Sequence, residues 1–289
     1  MIITIDGKKC ECEKGEFLLQ VAKRNDIYIP TLCHHESLPG QAACRVCLVE
    51  VIDNGMHNVV ASCVFPIDHE IEVLTDSERV HSERGMVLAL LKLRAPESPE
   101  IANMCKAYDA PDLGKRLSVS IPGGKCIMCG LCARACKELS VGAISTVNRG
   151  VTKEVATPYY EPSEVCVGCK SCASVCPTGA IEYTEDDTTR TIWNKKFELV
   201  HCEKCGAVIG TKEEIIEKVT EVLAEEFEVE ASEMTPDAVI YDTLELDSLS
   251  LVDLVAVIEH TFKVKIPAAE LPTVKTFADL YAYIESHQA

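Results

Sequence analysis

Residues 126–136 read CIMCGLCARAC, and residues 166–177 read CVGCKSCASVCP. Both runs space their cysteines C-x2-C-x2-C-x3-C, and 29 residues lie between them. Three thiolates two residues apart on a tight loop can curl around one face of an iron–sulfur cube. The fourth opens a helix and points away from that cube. The runs are halves of an internal repeat: Gly142-Ala143-Ile144 follows the first and Gly179-Ala180-Ile181 the second. A pair of zinc knuckles or a disulfide frame is the competing reading. Zinc takes four ligands from two C-x2-C pairs, so two quartets of this form point to clusters.

The spacing resembles the bacterial-type 2[4Fe–4S] ferredoxins. That resemblance implies crossed ligation. Cys126, Cys129 and Cys132 join Cys176 around one [4Fe–4S] cluster, and Cys166, Cys169 and Cys172 join Cys136 around the other. Lys137 departs from the pattern, which has proline there; the second run keeps Pro177. A rigid turn is lost at Lys137, but no ligand. Residues 118–192 are read as this domain. Strand-like pieces around Ile144 and Ile181 are expected to close over the cubes, and Tyr159 and Tyr160 to sit in a dry shell around them.

The chain has 289 residues, enough for two or three domains, with 47% hydrophobic and 26% charged residues. Seventeen cysteines, mostly in cluster-like spacings, argue for metal ligation in a reducing cytoplasm rather than disulfides. The opening Met1-Ile-Ile-Thr-Ile-Asp-Gly reads as strand and turn, and no apolar run reaches 18 residues. Neither an export signal nor membrane insertion is expected. The net charge of −18 is uneven: residues 212–289 hold 18 acids against 5 bases, and residues 1–211 hold 28 against 23. Nucleic-acid binding is disfavoured, and a basic patch on a partner protein would complement the C-terminal piece.

Residues 1–77 read as a small β-rich domain. Ile3 and Ile5 alternate with polar residues, Asp6-Gly7 makes a hairpin turn, and a helix follows with Leu18, Val21 and Ala22 on one face. Cys33, Cys44, Cys47 and Cys63 then fall in the spacing C-x10-C-x2-C-x15-C. Four thiolates suit a [2Fe–2S] cluster, two per iron, with a structural zinc site as the alternative. Gly40 is expected to lend the long loop flexibility. His34 and His35 are read as hydrogen-bonding or surface residues, because four cysteines already suffice. Cys10 and Cys12 are read as small buried residues on one strand face. The string IYIPTLCHHESLPGQAACRVCLVEV, residues 27–51, resembles the β-grasp domain of complex I-like iron–sulfur subunits. That family includes the complex I large iron–sulfur subunit and the diaphorase small subunit of bidirectional hydrogenases.

Residues 78–117 read as a helical spacer. Val87, Leu88, Leu90, Leu91 and Leu93 form an apolar stripe, broken by Pro96 and Pro99. The family often places one His and three Cys here for a further cluster. This chain has His81 and Cys105 alone, so no cluster is expected in the segment. Residues 193–211 read as a linker carrying Cys202-Glu-Lys-Cys205. One C-x2-C is half a metal site, and an unmetallated thiol loop is the favoured reading.

Residues 212–289 read as an acidic all-α bundle of four helices. Asp247-Ser248 taken alone is a helix cap. The longer string YDTLELDSLSLVDLVAVIEHTFKVKIP, residues 241–267, resembles the acyl carrier proteins. That resemblance implies 4′-phosphopantetheine on Ser248, attached by a phosphopantetheinyl transferase. A phosphodiester there would sit at a helix N-terminus, where backbone N–H groups favour an anion. Asp253 and Glu259 would meet basic patches on that transferase and on acyl enzymes.

The expected fold is thus multidomain α+β: a β-grasp [2Fe–2S] domain, a helical spacer, a 2[4Fe–4S] ferredoxin-like domain and an acyl-carrier bundle. The expected function is electron transfer through one [2Fe–2S] and two [4Fe–4S] clusters. The wire would run between a flavin- or NAD-binding diaphorase-type subunit and a terminal catalytic subunit such as a hydrogenase or formate dehydrogenase. The chain shows no Gly-x-Gly-x-x-Gly motif or phosphate loop, so no catalytic site of its own is expected. The alternative is an acyl carrier whose clusters deliver electrons to a tethered acyl group, or a carrier that serves only docking and assembly.

Overall fold

The computed structural model describes residues 1–114, 124–139, 141–247, 250–267 and 270–287. The chain forms two compact units, Met1–Tyr160 with Ser171–Glu182, and Glu161–Lys170 with Tyr183–Ala289.

The first unit opens with β1 (Ile2–Ile5), β2 (Lys8–Glu11), α1 (Leu18–Arg24), β3 (Leu48–Asp53), β4 (Met56–Ala61) and β5 (Glu72–Leu74). The five strands order as β2-β1-β5-β3-β4, with β1 parallel to β5 and every other pair antiparallel. Asp6 and Gly7 take φ of 48° and 80°, the left-handed pair that a two-residue hairpin requires. Leu18, Leu19, Val21 and Ala22 of α1 pack on Ile3, Ile5, Val49, Val51 and Val73 of the sheet. This is the β-grasp arrangement. Cys10 and Cys12 are buried in the same core.

Two helices follow, α2 (Glu78–Arg94) and α3 (Pro99–Ala107). Ser77 and Ser98 cap them by accepting the N–H groups of Val80 and Ile101, and Pro99 takes the first turn of α3. The buried face of α2 is Val80, Arg84, Gly85, Leu88 and Ala89; of the expected stripe Leu88 is buried, Val87 and Leu91 pack against the core at its edge, and Leu90 is 49% exposed. Arg84 takes that face because loop carbonyls beneath it need donors.

Next come α4 (Leu131–Glu138), the hairpin β6 (Ser145–Val147) and β7 (Glu154–Ala156), and the short α5 (Ser171–Ser174), which packs on α4. Tyr159 and Tyr160 do not form a dry shell: they are 92% and 57% exposed. Both sit at positive φ in a tight turn after β7, which sends the rings outward; the Tyr160 hydroxyl donates to Glu154. Ile144 is buried, whereas Ile181 is half-buried and lies outside any strand.

The second unit holds β8 (Tyr183–Glu185), β9 (Thr189–Ile192), β10 (Lys195–His201) and β11 (Val208–Thr211), an antiparallel sheet in the order β11-β10-β9-β8. Much of the expected linker is therefore strand. β11 runs directly into α6 (Lys212–Phe227), followed by α7 (Ile240–Thr243), α8 (Ser250–Phe262) and α9 (Phe277–His287). Thr211 ends the strand and caps the helix, its hydroxyl accepting the Glu214 N–H at 3.1 Å. Ile215, Val219, Leu223, Ile258, Phe277, Leu280 and Ile284 form the bundle core, and Val200 of β10 belongs to it. Each such side chain, fully buried, contributes about 1.5–3 kcal/mol.

Candidate metal centres

The four N-terminal cysteines come from a loop after α1 and from the turn after β4, and all are buried. Gly40 serves space rather than flexibility: a side chain there would run into the Cys63 carbonyl and stand 3.0 Å from Val64. The Cys44 N–H donates to Cys33 Sγ at 3.3 Å. The thiols fall into two hydrogen-bonded pairs, Cys33 with Cys44 and Cys47 with Cys63. In each pair the bond draws one thiol down, Cys33 and Cys47 to about 6, and drives its partner, Cys44 or Cys63, strongly up. Two adjacent thiol pairs are the arrangement that two irons with two thiolates apiece would occupy. Buried His34 Nδ1 has no hydrogen-bond partner among the described residues, and His35 Nδ1 accepts the Ser37 N–H.

Arg84 is a functional residue that the sequence reading missed. It is 1% exposed, and it donates to the carbonyls of Val46 (3.0 Å) and Leu48 (2.7 Å), the two neighbours of Cys47, and to Thr75 (2.9 Å). Asp76 pairs with it at 3.0 Å, and the Tyr108 ring lies beneath it. Cys105 is buried nearby, its thiol donating to the Leu88 carbonyl.

The first cysteine run stands against this loop. Leu32, Cys33, Cys44 and Val46 share one dry core with Leu88, Ile101, Ile127, Cys129 and Leu131. Arg134 on α4 reaches back to the Pro39 carbonyl at 2.5 Å and the Gln41 side chain at 2.9 Å. Burial pushes the Cys129 thiol up to about 11 and Cys132 up to about 12. The charges of Cys126 and Cys176 act on both in the same direction. Cys176, from the second run, thus acts electrostatically on two of the first three. Its own thiol is half-buried, which raises it, but N–H groups of Thr178 and Ala180 outweigh that and hold it below the ordinary range. Cys129 also feels the charge of Cys33.

The repeated Gly-Ala-Ile has a geometric purpose. Gly142 and Gly179 take φ of 54° and 58°, in the left-handed region open to glycine. Each turns the following Ala N–H onto the fourth cysteine: Ala143 onto Cys136 Sγ and Ala180 onto Cys176 Sγ, both at 3.2 Å. Lys137 in place of proline leaves this contact unchanged. Within the runs, Met128 matches Gly168 and Gly130 matches Lys170, and all four have positive φ.

Cys136 and Cys172 belong to the first unit, Cys166 and Cys169 to the second. Within the second unit the loop carrying Cys166 is held by the sheet. Lys195, Arg190 and Thr211 donate to its carbonyls, and the Phe197 ring lies against Gly168. Among the described residues no three Cys, His, Asp or Glu side chains are set to hold a single metal ion. N–H groups donate to Sγ of Cys33, Cys126, Cys136 and Cys176, surroundings that fit the thiolate ligands of iron–sulfur clusters.

Cys202 and Cys205 lie on the β10–β11 turn. N–H groups of Cys205 and Lys204 lower the Cys202 thiol, and Cys205 is exposed. In the bundle, Ser248 lies outside the described residues. The neighbouring Asp247 carboxylate accepts the Ser250 N–H at 2.8 Å, so Asp247 caps α8.

Comparison with known proteins agrees with these domains. Residues 1–78 match the 2Fe-2S iron-sulfur cluster binding domain family, residues 120–183 the 4Fe-4S dicluster domain family, and residues 217–284 the phosphopantetheine attachment site family. The NADP-reducing hydrogenase subunit HndD of Solidesulfovibrio fructosivorans is 37% identical over 211 residues, 63% of this chain and 36% of that protein. The G 2 subunit of NADH-quinone oxidoreductase from Rhizobium meliloti is 29% identical over 71% of this chain and 26% of that protein. The chain thus spans about a quarter to a third of the length of these relatives. A crystal structure of an NAD+-reducing [NiFe]-hydrogenase shares the fold, with a TM-score of 0.53 and 22% identity over 62% of this chain and 85% of that one. The chain therefore unites a 2Fe-2S cluster binding domain, a 4Fe-4S dicluster domain and a phosphopantetheine attachment domain, and its iron–sulfur part is homologous to HndD and to the NADH-quinone oxidoreductase protein.

Proposed function

We propose that this chain relays electrons inside a multisubunit oxidoreductase. Cys33, Cys44, Cys47 and Cys63 would hold one [2Fe–2S] cluster. Cys126, Cys129, Cys132 and Cys176 would hold one [4Fe–4S] cluster, and Cys166, Cys169, Cys172 and Cys136 the other. The clusters supply the one-electron carriers. The chain's own residues exclude water, fix the loops and orient N–H groups at sulfur. The observation that carries the reading is the dry core that Cys33, Cys44 and Cys129 share, which supports neighbouring cluster sites.

The homology to HndD and to the NADH-quinone oxidoreductase protein supports partners of the diaphorase type on one side and a terminal catalytic subunit on the other. No described helix is long and apolar enough to cross a membrane. Seventeen cysteines with no disulfide among the described residues fit a reducing cytoplasm. Ser248 is the proposed attachment point for 4′-phosphopantetheine, and it is supported by the family match over residues 217–284 and by Asp247 already filling the cap. A second reading gives the arm a reducible acyl cargo. It is favoured by the shared core of the carrier bundle and β10, the strand that starts at Lys195 beside the Cys166 loop.

Anaerobic reconstitution followed by iron and sulfide analysis tests the first reading. It predicts about ten irons per chain, two plus four plus four. Zinc in place of iron, or fewer than about six irons, overturns it. Intact-mass analysis tests Ser248: a pantetheine adduct lost in Ser248→Ala is expected, and an acyl adduct would support the second reading.

A further inference from the structure

The Cys166 loop is held from its carbonyl side in a way that neither the repeat nor the ligand pattern explains. Lys195 Nζ donates to three carbonyls at once: Ser163 at 3.3 Å, Glu164 at 2.9 Å and Cys166 at 2.7 Å. Arg190, 3% exposed, donates to the Gly168 carbonyl at 2.7 Å, and the Thr211 hydroxyl donates to Val167. Five carbonyls between residues 163 and 168 are thus taken by three side chains of the sheet.

The charges at these donors differ. Arg190 and Lys170 share the carboxylate of Glu185. Arg84, which does the same work on the Cys47 loop, is neutralised by Asp76. Lys125, at the start of the first run, pairs with Glu182. Lys195 has no carboxylate within ion-pair distance among the described residues. Its other neighbour is the face of Phe197, 5.0 Å from the ammonium. Carbonyl oxygens and a ring face are both neighbours that attract a cation such as this ammonium. Its closest contact is the backbone of Cys166, a proposed ligand.

We propose that Lys195 is the positioning residue of the second cysteine loop. It fixes the loop's backbone and sets an uncompensated positive charge beside one of two repeat-related clusters, making that cluster easier to reduce. This rests on the cluster reading of Cys166 and Cys169. A cluster gains negative charge on reduction, so a fixed cation nearby favours the reduced form. Arg134 of the first run also has no carboxylate within ion-pair distance among the described residues, but it donates to Pro39 and Gln41, whereas Lys195 donates to the carbonyl of Cys166, a proposed ligand, itself. The two runs thus differ in where the fixed charge sits.

The test is an EPR-monitored redox titration of the full-length reconstituted chain, with iron analysed in parallel. Wild type is compared with Lys195→Met, which keeps the stem and removes the charge, and with Lys195→Arg. The expected result is a full iron complement in Lys195→Met, with one [4Fe–4S] midpoint moved to more negative potential and the [2Fe–2S] midpoint unmoved. Lys195→Arg should return most of the shift. If Lys195→Met sheds iron, Lys195→Gln keeps a carbonyl donor without the charge, and the same shift is read there. Unchanged midpoints in the neutral variants overturn the proposal. So does an equal shift of all clusters, or loss of iron in the Arg variant as well. A wild-type chain without [4Fe–4S] signals instead refutes the cluster reading itself.

Discussion

Replacing Arg84 with methionine removes the fork that holds the Cys47 loop while keeping the buried stem. Three carbonyls, those of Val46, Leu48 and Thr75, lose donors at 2.7–3.0 Å. Asp76 is 56% exposed, so its share is small. Hydrogen bonds to a charged group contribute about 1.5–3 kcal/mol each. They act on one short loop and are not additive, and water can partly replace them, so the loss is about 3–5 kcal/mol. With a urea slope of about 2 kcal/mol per M, the midpoint for the first unit falls by about 2 M. The assay is urea unfolding followed by hydrogen exchange at residues 44–51, whose protection should collapse first. Arg84→Lys, which keeps the charge but not the fork, should fall between. A midpoint within about 0.3 M of wild type would refute the view that this arginine holds the loop.

Gly168→Ala should empty the second cluster site, because the new Cβ meets the Phe197 ring at 2.6 Å and φ is +70°; iron analysis should read about four atoms fewer. Thr211→Val should destabilise the carrier bundle by about 1–2 kcal/mol through the lost cap, read as a lower thermal midpoint by circular dichroism, with Thr211→Ser restoring most of it. Asp279 is held below its ordinary range by the N–H groups of Thr276 and Lys275. Its stabilisation is therefore present at neutral pH and lost as pH falls through the lowered value. Asp279→Asn should be less stable at pH 7 and show a flatter acid limb; an unchanged limb would count against the contact.

The cysteine spacings were legible because a cluster loop is local: three ligands within seven residues define it whatever the rest of the chain does. The Asp6-Gly7 hairpin and the Ser77 and Ser98 caps were similarly short-range signals. Arg84 was not legible. A charged residue on a helix reads as solvent-facing, and its partners lie 36 and 38 residues upstream. Lys195 and Arg190 were hidden in the same way. Strands β8 and β9 were missed because β8 is wholly exposed and β9 is mostly polar. β10 does alternate, with Phe197 and Leu199 buried between exposed Lys196 and Glu198, and that signal was missed in a segment read as a linker. Tyr159 and Tyr160 were misjudged because aromatic composition was weighed without the turn that carries them. At Asp247-Ser248 the dipeptide alone favoured a cap, and the structure gives that role to Asp247.

The central claim is that electrons pass between neighbouring clusters on this chain, and magnetic coupling tests it most directly. Cys33 and Cys129 share one core, so the reduced [2Fe–2S] signal should relax faster and broaden once the adjacent [4Fe–4S] cluster is also reduced. A [2Fe–2S] signal whose relaxation is the same with its neighbour oxidised or reduced would contradict the account.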